Sequence, residues 1–166
     1  ATQQEILDGF LNAATGPQND YEVARKYLSG EIASGWNQSA ELLVGNTKPV
    51  VNISGTNDAT VTFEASARVD ELGRYQEFVP SISRVLNFRF VIENGEWRIS
   101  QAPNVTVLVR PIFDVLFRSY SLYFYDNQER YLVPDTRWFA TRISTSTRLA
   151  SALLSGPDFW LRDAVK

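Results

Sequence analysis

Residues 84–101 read RVLNFRFVIENGEWRISQ, and their alternation specifies a β-hairpin. Leu86, Phe88, Phe90 and Ile92 alternate with more polar positions, Asn94-Gly95 interrupts, and Trp97 and Ile99 resume the pattern. Asn-Gly suits the two-residue type I′ turn, because both central residues need positive φ, which Gly adopts freely and Asn tolerates. A two-residue loop also sets the register: Glu93 opposes Glu96, Ile92 opposes Trp97, Val91 opposes Arg98 and Phe90 opposes Ile99. The large apolar groups then share one face, and Arg89, Val91 and Arg98 share the other. Such a hairpin belongs in an antiparallel sheet with one side covered and one in water.

The chain ahead of it supplies the cover. Thr2 stands three residues before Glu5, a capping-box spacing, and Ile6, Leu7, Phe10, Leu11 and Ala14 form one helical stripe that Gly16-Pro17 stops. Asp20 reads as the N-cap of a second helix over 21–28 with Val23, Ala24, Tyr27 and Leu28 as its stripe, ended by Ser29-Gly30. A short turn over 32–36 places Trp36 at the edge of the core. Strands follow. Residues 49–54 put Val51 and Ile53 on one face. Residues 60–69 alternate Val61, Phe63, Ala65, Ala67 and Val69 with polar positions, the two alanines leaving room for a close helix. DELGR (70–74) is a turn, and 75–78 begin the strand that returns into the hairpin.

Helices first and antiparallel strands after predict an α+β domain over residues 1–110, N-terminal helices on one face of a curved antiparallel sheet. This order resembles the cystatin-like or nuclear-transport-factor-like cone. Several enzymes use that cone with acidic residues, His or Tyr pointing inward. The inward face expected here, from Val61 to Ile99, carries no titratable group. Tyr27 and Asp20 are the sole suggestions for a base, and a tyrosine at a helical core position is ordinarily a packed residue. The chain has no His and no Cys, which removes the commonest general base at neutral pH, cysteine nucleophiles, disulfides and thiolate metal sites. A net charge of −3 with scattered basic residues argues against nucleic acid. There is no transmembrane run and no signal peptide, and the polar opening at Ala1 reads as a processed or trimmed form.

After Gln101 the character changes. Ala102-Pro103-Asn104 breaks the sheet, 105–109 is a short β-rich run, Pro111 punctuates, and 112–117 is apolar at mixed spacing. Residues 121–125 and 131–140 read as a strand pair around Asp126-Asn127, the second interrupted by Pro134. Residues 145–154 have helical spacing and end at Ser155-Gly156-Pro157. This material, 111–166, reads as a connector and the start of a second module. Left with an open strand edge and exposed Phe159 and Trp160, it is expected to self-associate or to dock on the first domain.

LYFYDNQERYLVPDTRWFA (122–140), the helix ending LLSGP (153–157), Trp160-Leu161 and Ala164-Val165 resemble the opening of the GerMN module as it occurs in the LpqB lipoproteins of actinobacteria. The upstream pattern agrees: Phe10-Leu11, VARKYL (23–28), Trp36-Asn37, the turn at Gly73 to Tyr75, and FRFVIENGEWRIS (88–100). LVPDTRW (132–138) is the most diagnostic piece. The resemblance implies a lipoprotein anchored through an N-terminal lipidated Cys on the extracytoplasmic face of the cell membrane. Neither that Cys nor the family's C-terminal β-propeller lies in this chain, and its GerMN-like α/β segment is incomplete. It further implies a non-catalytic role, association with the extracytoplasmic domain of the sensor histidine kinase MtrB and modulation of MtrB–MtrA signalling, with no cofactor, no metal and no catalytic residues to carry over. The alternative is a small-molecule-binding or enzymatic cone of the nuclear-transport-factor-like class, which requires an open cavity with converging polar groups.

Three features remain. Asn-x-Ser/Thr sequons at Asn37, Asn52 and Asn104 read as coincidence in a chain rich in Ser and Thr. The acid pairs Asp70-Glu71 and Glu93 with Glu96 sit at turns, where carboxylates are solvated. The aromatics Tyr120, Tyr123, Phe124, Tyr125, Tyr131, Trp138 and Phe139 are either a recognition surface or alternating core residues, and the core reading is the commoner one.

Overall fold

A computed structural model describes residues 1–16, 21–141 and 145–165. The described elements run α1 (Gln3–Ala13), α2 (Glu22–Arg25), α3 (Gly30–Ala33), β1 (Glu41–Gly45), β2 (Val50–Ser54), β3 (Asp58–Asp70), β4 (Tyr75–Glu93), β5 (Glu96–Gln101), β6 (Thr106–Val109), α4 (Arg110–Leu116), β7 (Phe117–Tyr125), β8 (Leu132–Ala140) and α5 (Thr145–Leu154). This is the α+β architecture expected, with the N-terminal helices on a mostly antiparallel, open sheet arranged as in a cystatin-like or nuclear-transport-factor-like cone.

The β4–β5 hairpin has the register read from its turn: Phe90 pairs with Ile99, Val91 with Arg98, Ile92 with Trp97 and Glu93 with Glu96. Asn94 at φ 54° and Gly95 at φ 80° give the turn its two left-handed residues. A register shift between Arg89 and Phe90 ends the regular ladder. Leu86, Phe88, Phe90 and Ile99 are buried and Trp97 is partly buried, whereas Ile92 is 60% exposed. Ile92 shares their face but lies next to the turn, beyond the reach of the covering helices.

Helix α1 starts with the full capping box. The Thr2 hydroxyl accepts from the Glu5 amide, and the Glu5 carboxylate accepts from the Thr2 amide at 2.8 Å. Its stripe Ile6, Leu7, Phe10 and Ala14 is buried over the sheet. The second helix is shorter than its spacing predicts. α2 is a single turn, Ala24 and Leu28 face inward, and Val23 is 58% exposed. Leu28 has already left the helix to bridge Ile99 in parallel, and this extended pairing takes the backbone that a longer helix would use. Asp20 lies outside the described residues. Trp36 is buried in the core beside an open groove at the core's edge, as its position predicts, with its ring 5.0 Å from Phe10 and 6.4 Å from Tyr21.

The main sheet has six strands in the order β5-β4-β3-β1-β6, with β2 also pairing β3. The spacing assigned no element to 41–45, yet β1 is central. It pairs antiparallel with the second half of β3 and parallel with β6, so the sheet is not purely antiparallel. Both β1 and β6 are buried on two faces: Leu43 and Val107 belong to the core under α1, Leu42, Val44 and Leu108 to a second core on the opposite side. A strand covered on both faces loses the period-2 alternation that marks half-buried strands.

The second core explains β3. Val61, Phe63 and Ala65 pack under α1, while Ala67 and Val69 join Leu42, Val44, Leu108 and Phe113. The β3–β4 ladder shifts between Ala65 and Ala67. The helix admitted beside Ala67 is therefore α4, whose Phe113 is fully buried. Pro111 sits in the first turn of α4, where its missing N–H has no partner to lose. At this end the main sheet is covered on both sides, and β7–β8 supply part of the second cover.

Candidate functional site: a buried Asp–Arg pair between the two sheets

Strands β7 and β8 pair from Phe117 with Ala140 to Tyr125 with Leu132, and α5 closes one of their faces over a small core of Leu122, Phe124, Phe139, Ala152, Leu161 and Val165. Alternation along β8 puts Asp135, Arg137 and Phe139 on this inner face. Arg137 is 0% exposed and is the largest fully buried side chain; Asp135 is 3% exposed. Burial of such charges requires partners. Arg137 Nη2 donates to Asp135 Oδ2 at 3.0 Å and to the Gly156 carbonyl at 3.1 Å, and Nη1 donates to the Leu72 carbonyl at 3.1 Å. Asp135 Oδ2 also accepts from the Asp158 amide at 2.8 Å. Arg137 Nε is buried without a hydrogen bond. One guanidinium thus ties three places together: its own strand, the end of α5, and the β3–β4 turn of the other sheet.

That turn is shaped to receive it. Asp70 Oδ1 accepts from the Leu72 and Arg74 amides, each at 2.9 Å, and Gly73 has φ 78°. The Trp138 amide donates to the Gly73 carbonyl at 2.8 Å, and the Trp138 ring packs 5.8 Å from Tyr75 and 5.4 Å from Phe113. A Cβ on Gly73 would lie 2.7 Å from the Phe139 ring and 2.8 Å from the Trp138 carbonyl oxygen, so this position needs glycine for space as well as for φ. Arg148 Nη2 donates to Ser39 Oγ at 2.6 Å, a further tie between α5 and the loop that leads into β1. Asp135, Arg137 and Trp138 belong to the DTRW of LVPDTRW, so the piece of sequence that carries the resemblance builds this joint. Their individual roles were not legible, although an acid and a base two apart on the apolar side of a strand were a usable signal.

The other residues weighed for chemistry have structural places. Tyr27 is half-buried against α1, where its ring would lie 2.6 Å from a Cβ on Gly9. Glu71 accepts from Asn37 Nδ2, Glu93 from the Gly30 amide and Glu96 from Arg98. Asn104 Oδ1 accepts from the Asn37 amide, so two of the three sequon asparagines hold one loop to another. Among the described residues no group of three or more His, Cys, Asp or Glu could hold a metal ion. The cone is filled by Phe10, Phe63, Phe88 and Phe90, all at most 3% exposed. A cavity between the sheets, bounded by Tyr21, Leu108 and Trp138 among others, measures about 30 Å³, enough for about one water. The seven aromatics divide between both readings: Phe124 and Phe139 are core, Tyr120 and Trp138 are half-buried, and Tyr123, Tyr125 and Tyr131 are more than half exposed.

Fold and site together define an α+β protein whose cone core is filled by buried aromatic and aliphatic side chains and whose second, smaller sheet is fastened to the first by buried charge. The chain belongs to the LpqB lipoprotein family: the model described as "Lipoprotein LpqB, N-terminal domain" matches residues 1–114. It is similar to lipoprotein LpqB of Corynebacterium jeikeium, 32% identical over 164 residues that cover 97% of this chain and 28% of that protein. The same name belongs to relatives in Bifidobacterium longum, 30% identical over all of this chain and 31% of the relative, and in Streptomyces coelicolor, 28% identical over all of this chain and 30% of the relative. The chain therefore spans less than a third of the length of these relatives. No solved structure matches it. No helix among the described residues is long and apolar enough to cross a membrane.

Proposed function

We propose that this chain is a non-catalytic interaction module of an LpqB lipoprotein, held by a lipid anchor on the extracytoplasmic face of the cell membrane, and that it contacts the extracytoplasmic domain of the sensor histidine kinase MtrB to modulate MtrB–MtrA signalling and envelope homeostasis. In this reading residues 1–110 are the first domain, and 111–166 are the connector and opening of a GerMN module. The observation that carries the non-catalytic part is the packed cone: its inward face holds aromatic and aliphatic side chains where an enzyme of this architecture keeps a cavity with polar groups. Family membership supports the lipoprotein part.

Contact with a partner needs exposed anchors, and the outer face of β7–β8 offers Tyr123 paired with Pro134 and Tyr125 paired with Leu132, with both tyrosines and Leu132 more than half exposed. The test is calorimetric titration of the purified extracytoplasmic domain of the cognate sensor kinase with this chain. Saturable binding at micromolar affinity or tighter is expected, weakened by Tyr123→Ala and Tyr125→Ala. No heat of binding, where the full-length lipoprotein binds normally, would refute the placement of the contact in this chain.

A further inference from the structure

Where the β3–β4 turn meets the segment after α5, an open groove of about 490 Å³ is lined by Arg68, Arg74, Arg162, Asp70, Asp158 and the aromatic pair Phe159 and Trp160, among others. Three arginines against two aspartates give these side chains a formal charge of +1 in a chain whose net charge is −3. The acids are largely engaged. Asp70 Oδ1 is taken by two backbone amides, and Asp158 Oδ1 by the Phe159 amide. Two of the arginines are held by ion pairs that use few of their donors. Arg68 Nε lies 3.2 Å from Glu41, and Arg74 lies 3.6 Å from Asp70 through Nη1 and 3.5 Å from Asp158 through Nε; both Nε atoms are buried without a hydrogen bond. Arg162 is exposed and makes no hydrogen bond or ion pair among the described residues.

A guanidinium offers several N–H donors and no acceptor. The three guanidinium groups carry more donors than the groove's two carboxylates take up, which favours a ligand made of acceptors: a carboxylate or a phosphate, whose planar or forked oxygens guanidinium groups match. Phe159 is 76% and Trp160 62% exposed beside these cations. Two large rings left in water at the rim of a cationic groove provide a stacking surface for a ring or an apolar group. We infer that this groove is a binding site for an organic oxyanion, a carboxylate or phosphate borne on a ring, with Arg68, Arg74 and Arg162 holding the oxyanion and Trp160 stacking on the ring. This site is separate from the outer face of β7–β8 offered to a protein partner.

The probe is phenyl phosphate, titrated into the whole chain and followed by tryptophan fluorescence and by the Nε–H resonances of its arginines, with benzoate, inorganic phosphate and phenol as comparisons. Saturation in the sub-millimolar to millimolar range is expected, with shifts at Arg68 and Arg74 Nε–H. Arg162→Gln is expected to weaken it about tenfold, the size of one charge-assisted contact, and Trp160→Ala about fivefold. Both substitutions are at exposed positions and should leave the thermal melt unchanged. Inorganic phosphate should bind about tenfold more weakly than phenyl phosphate, and phenol should not saturate. Benzoate matching phenyl phosphate would assign the ligand as a carboxylate and benzoate binding far more weakly would assign it as a phosphate, either within the proposal. Absence of saturation up to about 10 mM, or saturation that neither substitution weakens, would overturn it.

Discussion

Replacing Arg137 by Met removes all three hydrogen bonds that this side chain donates and leaves Asp135, 3% exposed, with the Asp158 amide as its remaining partner among the described residues. Breaking a buried pair from one side costs about 3–5 kcal/mol, because a charge stays behind without its counter-charge. A value of about 4 kcal/mol, set against an unfolding entropy of about 0.35 kcal/mol/K for a chain of this length, lowers the Tm by about 11 °C if unfolding is two-state. Asp135→Leu strands the opposite charge and should be comparably harmful. The double variant strands neither, and buried ion pairs are often replaced by apolar residues at little loss. It should therefore be more stable than either single variant, with a coupling energy of about 4 kcal/mol or more. Urea unfolding followed by tryptophan fluorescence gives the four stabilities, and hydrogen exchange locates the damage: β8, α5 and the β3–β4 turn should lose protection in Arg137→Met while β4–β5 keeps it. Singles that sum to the double within about 0.5 kcal/mol would refute the reading, because that result means the two charges do not act through each other.

Two glycines separate strain from crowding. Gly95 and Gly73 have nearly the same φ, 80° and 78°, but a Cβ on Gly95 meets nothing within 4 Å, whereas one on Gly73 collides with Phe139 and the Trp138 carbonyl. Chemical denaturation should therefore show about 1–2 kcal/mol lost in Gly95→Ala and at least about 2 kcal/mol more in Gly73→Ala, where the joint between the sheets must open. Thr2→Ala removes the hydroxyl half of the α1 capping box and should cost about 1 kcal/mol by the same assay, with Thr2→Ser restoring most of it.

Much of the fold is local and was readable for that reason. The Asn94-Gly95 turn states its own backbone angles, and a two-residue loop leaves one register, so the four pairings from Glu93–Glu96 to Phe90–Ile99 followed, up to the bulge at Arg89. The α1 capping box, the apolar alternation of β3 and the DELGR turn are likewise short-range statements about a few residues. Elements that depend on distant partners were not readable. Strand β1 has no alternation because α1 covers one face and α4 with Trp138 the other, and nothing between 41 and 45 records that second cover. Ile92 fits the hydrophobic pattern yet is exposed, because alternation says which face a residue takes and not whether a helix reaches it. Val23 fails likewise, because pairing of Leu28 with Ile99 stops the helix at one turn.

The same division holds for the sites. LVPDTRW marks the family by its residues, but nothing in the string says that Arg137 crosses to the Leu72 carbonyl sixty-five positions away and joins two sheets. The groove that gathers Arg68, Arg74 and Arg162 exists because the chain after α5 returns to the β3–β4 turn. The sequence alone determined the turns, the caps and the sidedness of strands with one wet face, since those follow from angles and periods of neighbouring residues. The tertiary structure decided which faces are covered twice and which charges meet, because burial and ion pairing depend on what the rest of the chain brings within a few ångströms.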